Sequence, residues 1–172
     1  MIKDILKYIF SFILFVLIQV LVVNQIHLGW VVNPFLYIGF LILLPIETAG
    51  WLLLVLGFVL GITIDMFTNT PGMHAASSVL IAFIRPSLHR VMIPRDTFQP
   101  GTQPDVATFG IPWFLKYVIV MTLIHHAALF LLEAMSFQHV WVILVKAVGS
   151  SFVTILLLML VQLFTLGNKK QR

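Results

Sequence analysis

Long apolar stretches, interrupted by short polar segments, run along the whole chain. An α-helix needs about 20 mostly apolar residues to cross the hydrocarbon core of a bilayer. We therefore predict an all-α, polytopic membrane protein with one integral membrane domain over residues 1–172. The predicted spans are residues 5–23, 35–46, 51–67, 73–92, 113–132 and 141–166. The second span is short for a crossing helix, so whether it crosses fully is left open.

Two polar segments next to the fourth span predict where that helix begins and where it is interrupted. Residues 68–72 read Thr-Asn-Thr-Pro-Gly, which is the chemistry of a tight turn. Arg85 and Pro86 interrupt the fourth span itself. Because proline lacks the backbone N–H and clashes with the preceding turn, we expect a kink or an early helix end there.

The longest polar segment, residues 94–112, is predicted to be a cytoplasmic loop. Loops of this length are usually functional or disordered. Its charged residues Arg95, Asp96 and Asp105 offer polar contacts to a cytoplasmic partner. Disorder of this loop is the alternative interpretation.

The composition supports a membrane protein. Of the 172 residues 60% are hydrophobic and 9% are charged, whereas about 25% are charged in a typical soluble domain. The mean hydropathy is +1.08. Cysteine is absent, which excludes disulfides and cysteine-based metal sites.

The distribution of basic residues predicts that both termini lie in the cytoplasm. With that orientation, every Lys and Arg except Lys146 falls on the cytoplasmic side, as the positive-inside rule requires. These residues are Lys3, Lys7, Arg85, Arg90, Arg95, Lys116, Lys169, Lys170 and Arg172. The tryptophans lie at predicted helix ends, as in an interfacial aromatic belt. They are Trp30, Trp51, Trp113 and Trp141.

Asp65 is the most informative residue, because it lies inside an apolar span. Gly57, Gly61 and Asp65 are spaced four and four, so they share one helix face. The glycines allow another helix to approach closely, and an ionisable residue in a span usually faces the protein interior and has a partner. The backbone N–H groups that begin the next helix, or the side chain of His74, could be that partner.

Two interpretations of Asp65 follow. It is either a structural lock or partner contact at the periplasmic end of the bundle, or a carboxylate close enough to the headgroups to stay hydrated. Residues 75–78, Ala-Ala-Ser-Ser, are also small. We therefore predict a tightly packed hairpin of the third and fourth spans.

Other polar residues in the spans have simpler explanations. His125 and His126 suggest a metal site or proton relay, but further ligands at suitable spacing are missing, so we expect them to line the bundle interior. Glu133 and Lys146 flank the last outer loop and predict an interfacial ion pair. Arg85, together with Arg90, is expected to be a topology determinant that contacts lipid phosphate, with a substrate site as the alternative.

The sequence contains no motif of an enzyme or a nucleic-acid-binding protein. Gly-rich phosphate loops, a Ser nucleophile elbow and a His-Glu-x-x-His pattern are all missing. Basic residues interleaved with aromatics are missing too. We therefore assign no catalytic, cofactor or metal residue and expect a non-enzymatic protein.

Three short motifs point to one family. They are Gly57-x-x-x-Gly61-x-x-x-Asp65, Thr70-Pro-Gly72-Met-His74 and Arg85-Pro86. With the basic start, the length and the six-span layout, they resemble MreD, the small integral membrane protein of the bacterial rod-shape system, or elongasome. The resemblance covers nearly the whole chain. On this basis Gly57, Gly61, Asp65, Gly72, His74 and Arg85 are expected to be structural or partner-binding residues.

The resemblance implies a non-catalytic scaffold in the bacterial cytoplasmic (inner) membrane. The implied partners are MreC, the RodA glycosyltransferase and its class B penicillin-binding transpeptidase, with an indirect link to MreB filaments. Together they support lateral peptidoglycan synthesis and cell shape.

The family fold is similar to that of S-components of energy-coupling-factor vitamin transporters, which supplies the alternative function. Such components commonly dock through an alanine-rich first helix, whereas residues 5–23 contain no alanine or glycine. An ion-coupled carrier using Asp65, His125 and His126 is a third possibility. The face that binds MreC and the oligomeric state stay open, as does occupation of a cavity by a lipid or ligand.

Overall fold

The computed structural model describes residues 2–26, 32–93, 101–135 and 140–170, with side chains from residue 5 to residue 166 of these ranges. The described residues form α-helices joined by short 3-10 turns. The helices are α1 (Ile2–Leu21), α2 (Gly39–Ile42), α3 (Gly50–Thr68), α4 (Met73–Met92), α5 (Val106–Phe109), α6 (Ile111–Ala134) and α7 (Val140–Lys170). The 3-10 turns are Val23–Gln25 and Leu36–Ile38, the second of which leads directly into α2. Trp30, Arg95, Asp96 and the charges of the C-terminal tail lie outside the residues whose side chains are described.

Four of these helices are long and apolar enough to cross a membrane. They comprise residues Ile5–Gln25, Gly50–Thr68, Ile111–Ala134 and Val140–Leu166. An all-helical protein with several candidate membrane spans is therefore confirmed. Helix α4 has 20 residues, but its polar side chains keep it out of this group. The six-span count and the orientation stay predictions.

The structure corrects the second predicted span. Helical residues are limited to 36–42 within the predicted range 35–46, roughly 12 Å along the axis. As a helix this segment is too short to cross a bilayer. The chain on either side of it continues through the bundle, because Asn33 lines the cavity beside the α3–α4 turn whereas Pro45 is bonded to Arg85 in the second half of α4. Pro45 explains the early end, because a proline disfavours helical geometry in the residue before it.

The short α2 segment nevertheless lies at the centre of the bundle. All residues from Phe35 to Ile42 are buried. Gly39 lies between α1 and α7, where a methyl carbon in place of its hydrogen would lie 2.6 Å from Phe15 Cε1 and from Leu158 Cδ2. The buried segment therefore holds together helices that are far apart in sequence.

Helices α3 and α4 form the tightly packed hairpin that the small residues predict. A Cβ atom on Gly61 would lie 2.5 Å from the backbone nitrogen of Ala75 and from the carbonyl oxygen of His74. A Cβ atom on Gly57 would lie 3.0 Å from the Ser78 carbonyl oxygen. The two backbones approach this closely because neither glycine has a side chain.

The segment after α4 differs from the predicted polar loop. Helix α4 does not end at Pro86 but continues to Met92, so the predicted early end is wrong and the kink stays a prediction. Asp105 is buried, and its side chain accepts a 2.8 Å hydrogen bond from Thr108 N to cap α5. Asp105 is therefore a helix cap rather than an exposed contact for a partner. Pro112 belongs to the first turn of α6, where the missing N–H costs nothing.

The outer faces of the bundle are apolar. Helices α1 and α7 carry exposed aliphatic and aromatic side chains, among them Phe10, Leu17, Val148, Phe152 and Phe164. Trp51 and Trp141 are exposed at the first turns of α3 and α7. Such surfaces are compatible with lipid and with the apolar helices of other membrane proteins.

Candidate functional site

Asp65 lies near the end of α3 and is bonded to the turn and helix that follow. Oxygen Oδ1 accepts hydrogen bonds from the Thr70 hydroxyl and His74 N, both at 3.0 Å. Oxygen Oδ2 accepts from Gly72 N at 3.1 Å and Ala75 N at 3.0 Å. The residue is 3% exposed. The prediction of a buried carboxylate held by the start of the next helix is confirmed, and the hydrated alternative is wrong.

The local backbone explains how this arrangement forms. Asn69 ends α3 in the left-handed region at φ 57°, and Gly72 precedes α4 at φ 85°. Glycine adopts that conformation without strain, and its N–H points back to Asp65. The carboxylate therefore satisfies N–H groups that the helix itself leaves free, and the helix dipole favours its negative charge.

Arg85 is completely buried, which corrects the sequence interpretation. Its Nε donates to the Tyr117 hydroxyl oxygen at 3.1 Å. Its terminal nitrogens donate to the Leu44 carbonyl oxygen and, at 3.3 Å, to that of Pro45. Arg85 is therefore not a lipid-phosphate contact. It fixes the chain just after α2 to α4, and the Pro45 carbonyl also accepts from Thr48 N at 3.1 Å.

Tyr117 completes this contact. Its hydroxyl accepts from Arg85 and donates to the carbonyl oxygen of Ile42, the last residue of α2, at 3.3 Å. A cation at a helix C-terminus is favoured by the helix dipole. The carbonyls at and just after the end of α2 thus bond to side chains from both α4 and α6.

A second polar cluster crosses the bundle beside the α3–α4 turn. The Tyr37 hydroxyl lies 2.9 Å from His74 Nδ1 and 2.7 Å from His125 Nε2. His74 therefore has two roles, since its backbone bonds Asp65 and its ring bonds Tyr37. His125 is linked through Tyr37 to the helix that Asp65 caps.

His126 belongs to an adjoining set of contacts. Its Nδ1 is 2.8 Å from the Thr122 carbonyl oxygen and therefore carries the hydrogen. Its Nε2 then accepts from the Thr154 hydroxyl at 3.2 Å, and that hydroxyl accepts from Phe35 N at 2.9 Å. His125 and His126 are fully buried, which confirms that they line the bundle interior.

Several residues of this core were not predicted from the sequence. Tyr37 was not singled out, although it bonds two histidines. Gln19 was missed as well: its Oε1 accepts from Tyr37 N at 3.2 Å and its Nε2 donates to the Pro34 carbonyl at 3.1 Å. An amide within the otherwise apolar first span was the available signal, because intramembrane polar residues usually face the protein interior and have partners.

The end of the bundle next to the α3–α4 turn contains a cavity of about 400 Å³, which we call the turn-end cavity. Asn24, Phe35, Phe67, His74, Phe130 and Glu133 are among the residues that line it. Glu133 also forms the predicted ion pair with Lys146, at 3.1 Å. Across the described ranges, no group of three potential ligand side chains is placed to hold a metal ion.

These contacts can hold helices in place, and the cavity can accept a small molecule. All six predicted site residues lie on the α3–α4 hairpin. Gly57, Gly61, Asp65, Gly72 and His74 join α3 to α4 directly, whereas Arg85 bonds to the α2 end and α6.

Comparison with models of protein families, with curated proteins and with solved structures found no match to this chain.

Proposed function

We propose that this protein is a non-catalytic scaffold of the bacterial cytoplasmic membrane that binds the transmembrane helices of the cell-shape machinery. The observation that carries the proposal is the set of hydrogen-bond partners of Asp65 and Arg85. Both are buried, and their hydrogen bonds go to the chain's own backbone and hydroxyl groups. Interactions of this kind hold a bundle rigid while its outer faces bind partners.

The uncovered apolar surfaces support the second half of this proposal. Phe10 and Leu17 on α1 are 66% and 48% exposed, and Phe152 on α7 is 62% exposed. In a bilayer these faces contact lipid or another helix, and packing against another helix requires no charged residue.

The proposed topology has both termini in the cytoplasm and α4 as a crossing helix. The polar residues of α4 that lower its hydropathy, such as His74, Ser77 and Arg85, are buried within the bundle. They therefore do not oppose insertion as lipid-facing polar groups would. With α2 as a buried partial span, this arrangement retains the order of elements expected of MreD.

The proposed partners follow from the resemblance to MreD. They are MreC, RodA and its class B penicillin-binding transpeptidase, with MreB linked indirectly, and the role is support of lateral peptidoglycan synthesis. The test is a mild-detergent pull-down of the tagged protein from its host membrane, with mass spectrometry of the retained proteins. Recovery of MreC with the two synthases is the expected result, and their absence would contradict the proposal.

Gly61→Leu and Gly50→Leu provide a matched pair for this experiment. Leucine at position 61 overlaps the α4 backbone, whereas a Cβ at position 50 meets no atom within 4 Å. Loss of the partners with Gly61→Leu but not Gly50→Leu would connect binding to the packed hairpin.

A second candidate function is the S-component of an energy-coupling-factor transporter. The turn-end cavity favours it, because small-molecule pockets typically measure about 300–1,000 Å³. In the same pull-down, a transporter component would retain a membrane coupling protein and ATPases instead of the wall synthases.

A further inference from the structure

The turn-end cavity has a polar side whose hydrogen-bonding character follows from the contacts around it. His74 is 3% exposed and lines the cavity. Its Nδ1 is bonded to Tyr37, and its Nε2 has no partner in the part of the chain that the structure describes. This nitrogen is the ring atom left to interact with a molecule in the cavity.

The position of the hydrogen on the His125 ring decides whether His74 Nε2 donates or accepts a hydrogen bond. Its Nδ1 is buried and unpaired within the described residues, while its Nε2 lies beside Tyr37. A buried N–H without an acceptor is rarer than a buried acceptor without a donor. The hydrogen of His125 therefore belongs on Nε2, which donates to the Tyr37 oxygen.

The positions of the hydrogens on Tyr37 and His74 follow from that of His125. Tyr37 has a single hydroxyl hydrogen and donates it to His74 Nδ1. His74, as a neutral ring with an accepting Nδ1, carries its hydrogen on Nε2. His74 thus presents an N–H donor to the cavity.

Asn24, another residue that lines the cavity, supplies a second donor. Its Oδ1 accepts a hydrogen bond of 2.7 Å from Gln19 Nε2. This bond fixes the amide orientation and leaves the Asn24 NH₂ group available to donate to a molecule in the cavity that Asn24 lines. Two donors at the polar side select a ligand that carries an acceptor oxygen.

The rest of the cavity defines the body and charge of that ligand. Phe35, Phe67 and Phe130 line the apolar side. Glu133 also lines the cavity, whereas Lys146, its ion-pair partner, is not a lining residue, so an anion in the cavity would meet a like charge. Apolar walls with a few fixed polar groups are the usual design of a small-molecule site.

We propose that the turn-end cavity binds an uncharged carbonyl compound, with its oxygen at His74 and Asn24 and its apolar body among Phe35, Phe67 and Phe130. The same chemistry occurs in a free small molecule and in the ester region of a membrane lipid. The proposal does not depend on the scaffold function, because it rests only on the cavity and its donors.

Cavity-filling variants and a matched control test it. Met73→Trp and Ile26→Trp each place a large ring at the cavity wall. Met66→Trp is the control, since Met66 is 81% exposed and is not a lining residue. Two filling variants are used so that misfolding of one leaves the other informative.

The first measurement is native mass spectrometry of the protein purified from its host membrane. We expect a bound molecule on the wild type and on Met66→Trp that is lost from Met73→Trp and Ile26→Trp. A phospholipid mass identifies the bilayer as the source, and a non-lipid mass identifies a free ligand.

The second measurement uses defined probes, namely acetophenone, its oxygen-free analogue ethylbenzene, and the anion benzoate. Acetophenone should raise the melting temperature of the wild type and of Met66→Trp, with binding about tenfold tighter than that of ethylbenzene or benzoate. The filling variants should not respond. Equal responses to all three probes, an unchanged response in the filling variants, or no response with no bound molecule would overturn the proposal.

Discussion

Asp65 and Arg85 are both buried, yet each bonds to backbone next to a helix end rather than to the other. Asp65 accepts from Gly72, His74 and Ala75 at the start of α4. Arg85 donates to the carbonyls of Leu44 and Pro45 just after α2. The anion thus lies at a helix N-terminus and the cation at a helix C-terminus, the two placements that the helix dipole favours.

Replacing Asp65 with asparagine should destabilise the bundle by about 3 kcal/mol, because the amide removes the charge and one acceptor oxygen. Two of the four donors at the α4 start would then lack a good acceptor. Thermal unfolding in detergent measures the change. Glu133→Gln is the control, since its exposed ion pair with Lys146 should be worth less than about 1 kcal/mol. Membrane insertion should stay normal with Asp65→Asn, and also with Asp65→Leu. Equal stability of Asp65→Asn and the wild type would show that the carboxylate is not needed.

Alanine substitutions at three glycines of α3 should give a graded result. Gly61→Ala should cost about 3 kcal/mol and Gly57→Ala about 1 kcal/mol. The carbon added at position 61 would lie 2.5 Å from backbone atoms of α4, whereas the carbon added at position 57 would lie 3.0 Å from the nearest one. Gly50→Ala should be neutral or slightly stabilising, since its added carbon meets open space. The melting temperatures of the three variants test this order, and a reversed order would exclude the packing of α3 on α4 described above.

Arg85→Lys should destabilise the protein by about 3 kcal/mol, although the charge is retained. Lysine has no fork of nitrogens that can reach Tyr117, Leu44 and Pro45 together. A topology determinant would tolerate this change, because only its charge matters. Arg90→Lys is the matched control on an exposed position of the same helix. Wild-type stability of Arg85→Lys would return Arg85 to the topology role.

The contrast between Asp65 and Arg85 shows what sequence can predict here. The Asp65 contact is local, since its partners lie 5 to 10 residues away across one turn. Helical spacing, the Pro-Gly turn and the free N–H groups of the next helix were therefore sufficient. The small-residue face of the α3–α4 hairpin was predicted for the same reason.

Arg85 was misassigned because its carbonyl acceptors lie some 40 residues earlier in the chain and Tyr117 lies 32 residues later. Periodicity does not tell whether an arginine near a helix end points outward or inward. The carbonyls that it binds lie in the irregular segment after α2, which the prediction of a continuous span over residues 35–46 concealed. The contact that sets the hydrogen position of His74 was hidden similarly, since Tyr37 meets His125 across 88 positions of sequence.

Tyr37→Phe should cost about 2 kcal/mol by leaving the ring nitrogens of His74 and His125 without their shared partner. A double-mutant cycle with His125→Leu measures the coupling. The double variant should be less destabilised than the sum of the single variants, because both remove the same bond. Additive effects would mean that the hydroxyl and the ring do not interact. Tyr37→Phe should also weaken acetophenone binding, since Tyr37 fixes the orientation of His74.

The proposed topology can be mapped with single cysteines, because the chain contains no cysteine of its own. Ala49, Pro71 and Ala107 are exposed and lie before α3, between α3 and α4, and within α5. With both termini in the cytoplasm, a membrane-impermeant maleimide should label Pro71→Cys in intact cells. Ala49→Cys and Ala107→Cys should react only after lysis. Because α4 separates Pro71 from Ala107, labelling of both in intact cells would show that α4 does not cross. The reverse pattern, with only Ala49→Cys and Ala107→Cys labelled in intact cells, would invert the orientation and move the turn-end cavity to the cytoplasmic face.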